Sequence, residues 1–185
     1  MVHSLVKFVP YDEDVHRAQF FALNVEYLTW FVDEAFARHN IDVTSLSGQT
    51  VQEYVETFLD DFVKIRPSKG IIYLLAIEGN VVGMGALREL EKRVGEIKRM
   101  YIRPEYRGRG FGKELVKRLI DKGREFGYST LRLDTADFMT VAHNVYRSAG
   151  FKEIDCYSGC ETPEWYQLYC IFMEKTLETK MRQTQ

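Results

Sequence analysis

The chain is poor in the features that mark special environments. It has only three cysteines in 185 residues: Cys156, Cys160 and Cys170. An odd number with no CxxC pair excludes a disulfide framework and reads as free thiols in a reducing, cytoplasmic compartment. Cys156 and Cys160 have no convincing His or Cys partners nearby, and the four histidines lack ligand spacing, so no metal is expected. There is no basic excess: 25 Lys and Arg stand against 27 Asp and Glu, a net charge of -2. That balance argues against general nucleic-acid binding. No run approaches the ~20 consecutive apolar residues of a membrane span. The first residues carry no long apolar stretch, so no secretory leader is expected. Repeats and low-complexity segments are also missing.

What is present is an ordinary globular composition, 45% hydrophobic and 28% charged, with a high aromatic share of 14% that predicts an aromatic-rich core or pocket. The length suits one domain, read here as residues 1–175 with a polar tail at 176–185. Ser4 to Val9 reads as a strand. Asp12 to Arg38 carries helical periodicity and is expected as two pieces, followed by a polar connector from Asn40 to Gly48. Thr50 is placed to cap a helix from Val51 to about Lys64. Ile71–Ile77 and Val81–Leu87, joined by Glu78-Gly79-Asn80, form a hairpin, and Gly95 to Ile102 is a further strand. A helix from Gly112 to Phe126, a strand from Thr130 to Asp134 and a short helix from Thr140 to Ala149 follow. Two closing strands, Phe151–Tyr157 and Gln167–Lys175, flank a loop containing Trp165. This order predicts an α/β (α+β) fold, with a mixed, mostly antiparallel sheet of about seven strands flanked by helices.

The densest signal is Arg107-Gly108-Arg109-Gly110-Phe111-Gly112, at the mouth of an amphipathic helix. Helix N-terminal N–H groups lack partners, and the dipole adds partial positive charge there. Six basic residues (Lys98, Arg99, Arg103, Arg107, Arg109, Lys113) and one acid, Glu105, give this segment a local +5. A polyanionic ligand is implied. A Walker loop does not fit, because no Ser or Thr follows Lys113, and the glycine spacing GxGxG is not that of a Rossmann loop. The alternative reading is a glycine-rich turn with a solvated basic face.

The pattern matched by Arg107, Gly110 and Gly112 resembles the pyrophosphate loop of the GNAT N-acetyltransferases. Glu96 to Ile102 is similar to the fourth strand of that family. Val145-Tyr146-Arg147-Ser148-Ala149-Gly150-Phe151, with Ala142, is similar to its hydrophobic-Tyr-x-x-x-Gly-Phe signature. The likeness extends over nearly the whole chain in element order and is closest to small bacterial members. It implies direct acetyl transfer from acetyl-CoA to a primary amine of a small molecule or protein, or else a CoA-binding sensor or interaction module that has lost catalysis. It implies cofactor contacts from Met100, Tyr101, Ile102, Arg107, Gly108, Arg109, Gly110, Phe111, Gly112 and Lys113, no metal, and an assembly that includes the homodimer among its options. One departure is Met139, where many members carry asparagine; Asn144, one turn on, is available to take its place.

For the chemistry, the resemblance implies Glu96 as base and Tyr146 as acid. The amine must lose a proton, and the leaving thiolate must gain one. The alternative for Glu96 is a sheet carboxylate paired with a Lys or Arg. For Tyr146 it is a buried structural tyrosine. An N–H near Met100 or Tyr101 is the implied oxyanion donor. His143 reads as a packing residue rather than a base. Tyr27, Trp30 and Phe31 with Asp33 and Glu34 read either as an acceptor wall or as a helix with one core face and one wet face.

Overall fold

The computed structural model describes residues 6–62 and 68–178. Seven strands form one sheet in the order β1-β2-β3-β4-β5-β7-β6. They are β1 (Val6–Pro10), β2 (Ile71–Ile77), β3 (Asn80–Glu91), β4 (Val94–Ile102), β5 (Thr130–Ala136), β6 (Lys152–Ile154) and β7 (Cys170–Thr176). Only β4 and β5 run parallel; the other neighbours are antiparallel. The mixed, mostly antiparallel sheet expected from the sequence is therefore the observed one. The helices are α1 (Glu13–His39), α2 (Val43–Ser47), α3 (Val51–Phe62), α4 (Phe111–Glu125), α5 (Thr140–Ser148) and α6 (Glu164–Gln167).

One face of the sheet packs α4 and α5. Leu115, Val116, Leu119 and Tyr146 meet Leu87, Ile97, Leu131 and Leu133 there. The other face packs α1 and α3, where Phe20, Leu23, Val55 and Leu59 meet Ile72, Leu74, Met84 and Tyr101. Period-2 alternation along β5 separates these faces, so Leu131 and Leu133 point toward α4 while Asp134 points away.

Several boundaries differ from the sequence reading for local reasons. α1 is one continuous helix, because no Pro or Gly interrupts it; Asp12 caps its start by accepting from the Asp14 N–H, and Asn40 closes it in the left-handed region. The expected polar connector contains α2. The Asp42 carboxylate caps it, accepting from the Ser45 N–H at 3.0 Å and from both the Thr44 and Ser45 hydroxyls. Thr50 and Glu53 cap α3 reciprocally, each side chain accepting the other's N–H. Residue 64, where that helix was expected to end, lies outside the described residues, as does Ser4. Pro10 does not stop β1 but ends it while still paired with Tyr73, which an edge strand permits. β6 stops at Ile154 and β7 starts at Cys170, because Pro163 opens α6 between them. Thr176 is still paired in β7, and Leu177 is buried with its N–H donated to the Ser129 carbonyl, so order continues past the point where polarity sets in. Among the described residues no helix is long and apolar enough to cross a membrane.

Candidate active site

The sheet splits at its parallel pair. β4 and β5 are in register only at Val94–Thr130, Gly95–Leu131 and Glu96–Arg132. Beyond Glu96 the strands part, and the edge of β4 that faces β5 has no strand partner among the described residues as far as Ile102. A bulge lies just past the parting. Ala86 sits opposite Lys98 and Met84 opposite Tyr101, so β4 uses one residue more than β3 over this span. Arg99 takes up the extra length with φ of +55°, a left-handed conformation unfavourable for a side chain of its size. The bulge reverses the alternation. Ile97 and Met100 both join the α4 face, and Tyr101 joins the α1 face. Gly85 makes room on β3, since a Cβ there would lie 2.5 Å from the Met100 sulfur.

The split opens into a cavity of about 260 Å³. Its walls come from both faces of the sheet, which only a gap between β4 and β5 allows. Tyr146 enters from α5, Tyr27 and Phe31 from α1, and Tyr166 from α6. The Tyr146 hydroxyl makes no hydrogen bond to a described residue, while its ring packs edge-on against Phe151 at 6.0 Å. Burial, then the nearby Tyr27 and Asp134, pushes this phenol far up, so it keeps its proton. Cys170, also on the wall, is pushed up to about 12, by burial first and then by Asp134, so it stays a thiol.

Lys98 and Asp134 face each other across the split at 3.0 Å. Burial works against the Asp134 charge, but the Lys98 ammonium, hydrogen bonds from Lys98 and Thr162, and the Arg99 charge outweigh it and hold the carboxyl below its ordinary value. Lys98 is likewise opposed by burial and raised by Asp134, Glu96 and Glu161. Glu96 is fully buried behind this pair and is not part of the cavity wall. Its Oε2 accepts from Arg88 Nε at 2.7 Å, and its Oε1 accepts from the Tyr157 hydroxyl at 2.8 Å. Glu96 is thus ion-paired within the sheet, with Arg88 and Tyr157 as its partners. The Arg88–Tyr157–Glu161–Thr162 surroundings were not read from the sequence. The available signal was charge at alternate positions, Glu96 and Lys98, in a strand otherwise apolar on its inner segment.

The glycine loop lies at the other end of the split. A 3-10 turn at Pro104–Tyr106 leads from β4 to Gly108 and Gly110, whose φ values are +76° and +82° with open space where a Cβ would stand. Gly110 is the N-cap of α4 and offers no side chain to it. From Gly108 to Lys113 six successive backbone N–H groups find no acceptor among the described residues. Lys113 is exposed and makes no described ion pair. Arg107 folds back instead, donating from Nε to the Ile102 carbonyl at 2.8 Å and lying over the rings of Trp30 and Tyr101. Arg109 likewise donates to the Glu105 carbonyl at 3.2 Å. These two arginines brace the loop, and the N–H groups are what it presents. Phe111 is turned inward against Leu75, Val82 and Ile102.

The remaining candidates separate. Asn144 is exposed on α5 and makes no described hydrogen bond. Met139 lines the cavity at the start of α5 and provides no side-chain cap. His143 is buried and bonds the Ala136 carbonyl at 2.9 Å, pinning β5 to α5 as a packing residue. Of the aromatic-acidic cluster, Tyr27 and Phe31 line the cavity, whereas Glu34 pairs outward with Arg38 and Asp33 is exposed. Among the described residues no cluster of three or more His, Cys, Asp or Glu could hold a metal.

Comparison with known proteins accords with this geometry. Residues 39–151 match the model of the acetyltransferase (GNAT) family. A 122-residue stretch is 32% identical to the uncharacterized N-acetyltransferase YjgM of Escherichia coli K12, covering 64% of this chain and 71% of that protein. Another, of 100 residues, is 36% identical to the IAA acetyltransferase of Azospirillum brasilense, covering 54% of this chain and 63% of that protein. The crystal structure of the PaiA N-acetyltransferase of Thermoplasma acidophilum in complex with coenzyme A has a TM-score of 0.67 at 15% identity, covering 94% of this chain and 99% of that one. The chain belongs to the GNAT acetyltransferase family and is an acetyl-CoA-dependent acyltransferase.

Proposed function

We propose that this chain transfers the acetyl group of acetyl-CoA directly to a primary amine of a small molecule seated in the cavity between β4 and β5. The observation that carries this reading is the split itself. It brings an unpaired strand edge, the unbonded Tyr146 hydroxyl and a cavity of about 260 Å³ to one place. The partly enclosed, aromatic walls suit a small acceptor better than a protein segment.

The residues present fit the cosubstrate. The N–H groups of Gly108 to Lys113, helped by Lys113 and the α4 dipole, are a receptor for a pyrophosphate. Arg107 and Arg109 hold that loop in shape. The free edge of β4 at Met100, Tyr101 and Ile102 offers backbone groups to an amide-containing arm, and an N–H on that edge would serve as donor to the developing oxyanion. Tyr146, kept protonated by burial, supplies the proton that the departing thiolate takes up. Asp134 and Glu161 are the wall carboxylates that draw in the ammonium and take its proton, directly or through water. Glu96 acts as a positioning residue, anchoring Arg88 and Lys98.

Thiol release from acetyl-CoA, followed across a panel of small primary amines with mass detection of the N-acetyl product, tests the reading. Amine-dependent release with product supports it. Tight CoA binding with no turnover on any amine would instead favour a sensor.

A further inference from the structure

Among the described residues, the cavity wall carries one cation with no carboxylate in ion-pair contact. Lys98 is shared among Asp134, Glu96 and Glu161. Arg99, also on the wall, has no carboxylate partner among the described residues. Its guanidinium lies 3.9 Å from the centroid of the Phe58 ring and 5.6 Å from that of Tyr54, and it donates from one Nη to the Tyr54 hydroxyl at 3.2 Å. Its Nε–H is buried and without an acceptor. An arginine has five N–H donors in a rigid fork, and a buried unused donor is costly. The left-handed backbone at Arg99 adds strain at the same residue. The strained backbone and the two-ring platform fix the guanidinium with its Nε–H occluded, so the Nη side of the fork is what it holds ready for a planar anion.

The rest of the wall limits what carries that anion. Tyr27, Phe31, Trp165 and Tyr166 give aromatic surface, and Val32 and Val43 give aliphatic surface. The wall carboxylates Asp134, paired with Lys98, and Glu161, paired with Arg88, form the anionic side that an ammonium would face. A ligand complementary to all three features has a carboxylate, an amine and an apolar side chain.

The geometry points to an amino acid with an aromatic or aliphatic side chain as the acceptor, its carboxylate held by Arg99 and its amine presented at the β4–β5 split. This rests on the acetyl-transfer reading above and adds the acceptor's class. The transfer balances simply. The amine nitrogen forms a bond to the acetyl carbon, the carbon–sulfur bond of the thioester breaks, the ammonium's surplus protons leave, and the thiolate is protonated.

The test compares matched pairs: phenylalanine against phenethylamine, and leucine against isoamylamine, each pair differing by the carboxylate. Wild-type enzyme should prefer the acid member by about 10- to 100-fold in kcat/KM, the range of one charge-assisted bidentate contact. Arg99→Gln should bring the ratio of the two kcat/KM values close to one, with Arg99→Lys intermediate. Tyr54→Phe, which loosens the fork without removing its charge, should lower the ratio less, and it keeps the test available if the Arg99 variants do not fold. Equal use of both members by the wild type, or an unchanged ratio in the variants, overturns the proposal while leaving acetyl transfer intact. No acetylation of any member also overturns the proposal, while turnover on other amines of the broader panel would leave acetyl transfer standing.

Discussion

Lys98 Nζ lies 3.0 Å from Asp134 Oδ1, joining β4 to β5 immediately beyond the point where their backbones stop pairing. The side chains thus bridge a gap that the main chain leaves open. Both groups are largely buried, with side-chain exposures of 13% and 17%. Removing one leaves the other buried and unpaired. Lys98→Met should therefore destabilise the fold by about 3 kcal/mol, a fall in Tm of about 6–12 °C. The double variant Lys98→Met/Asp134→Asn should recover part of that loss.

The same pair sets an acid limb on stability. The Asp134 carboxyl is held below its unfolded value, so its contribution is present above the ordinary carboxylate pKa and is lost as pH falls through the folded one. Wild-type Tm should decline below about pH 4. In Lys98→Met the burial of Asp134 acts without its main counter-charge, so the deficit relative to wild type should shrink on acidification. A deficit constant with pH would remove Lys98 as the partner that matters. Thermal melts across pH 3–8 measure this directly.

Gly110 and Gly127 stand at opposite ends of α4 with nearly equal φ values, +82° and +81°, and open space where a Cβ would be. Alanine at either position costs about 1 kcal/mol of backbone strain. Only Gly110 belongs to the run of unbonded N–H groups. Gly110→Ala should raise the KM for acetyl-CoA about tenfold, whereas Gly127→Ala should lower Tm by a similar few degrees and leave that KM unchanged. Equal KM effects from both would show that the loop's role is only structural.

Tyr146→Phe keeps the ring against Phe151 and deletes the hydroxyl. If that hydroxyl protonates the leaving thiolate, kcat should fall by about 100-fold with little change in the KM for acetyl-CoA. A kcat within twofold of wild type would assign the proton to another group.

Glu96→Gln separates the two roles open to that residue. Its buried carboxylate anchors Arg88 and Tyr157, so the variant should lose about 2–3 kcal/mol of stability while the shape of the pH–rate profile is retained. Loss of the acidic limb of the profile, with Tm intact, would assign Glu96 the role of base.

The sequence carried the fold well because its elements are locally consistent. The amphipathic stripe of α4, the Thr50 cap and the alternation in β2 and β3 each specify their own structure. The shape of the loop at Gly108 to Lys113 was legible for the same reason, since its left-handed glycines are a matter of local backbone geometry. The acceptor side was not. Its wall is assembled from α1, α2, α3, α5, α6, β4, β5, β7 and the loop at Glu161, and no local pattern encodes that meeting. Glu96 shows the limit most clearly. Its place on β4 resembled that of a base, and the partners that hold its carboxylate, Arg88 and Tyr157, lie 8 and 61 residues away. Arg99 was visible only as one of six basic residues. The bulge that turns it into the cavity depends on the pairing of β4 with β3, which periodicity does not reveal.

The most direct measurement is a crystal structure of the chain with coenzyme A. The account predicts the pyrophosphate within hydrogen-bond distance of the N–H groups between Gly108 and Lys113, the pantetheine arm along the free edge of β4 at Met100 to Ile102, and the sulfur in the split beside the Tyr146 hydroxyl. Coenzyme A bound with its sulfur outside the β4–β5 split, or with its pyrophosphate away from that loop, would contradict it.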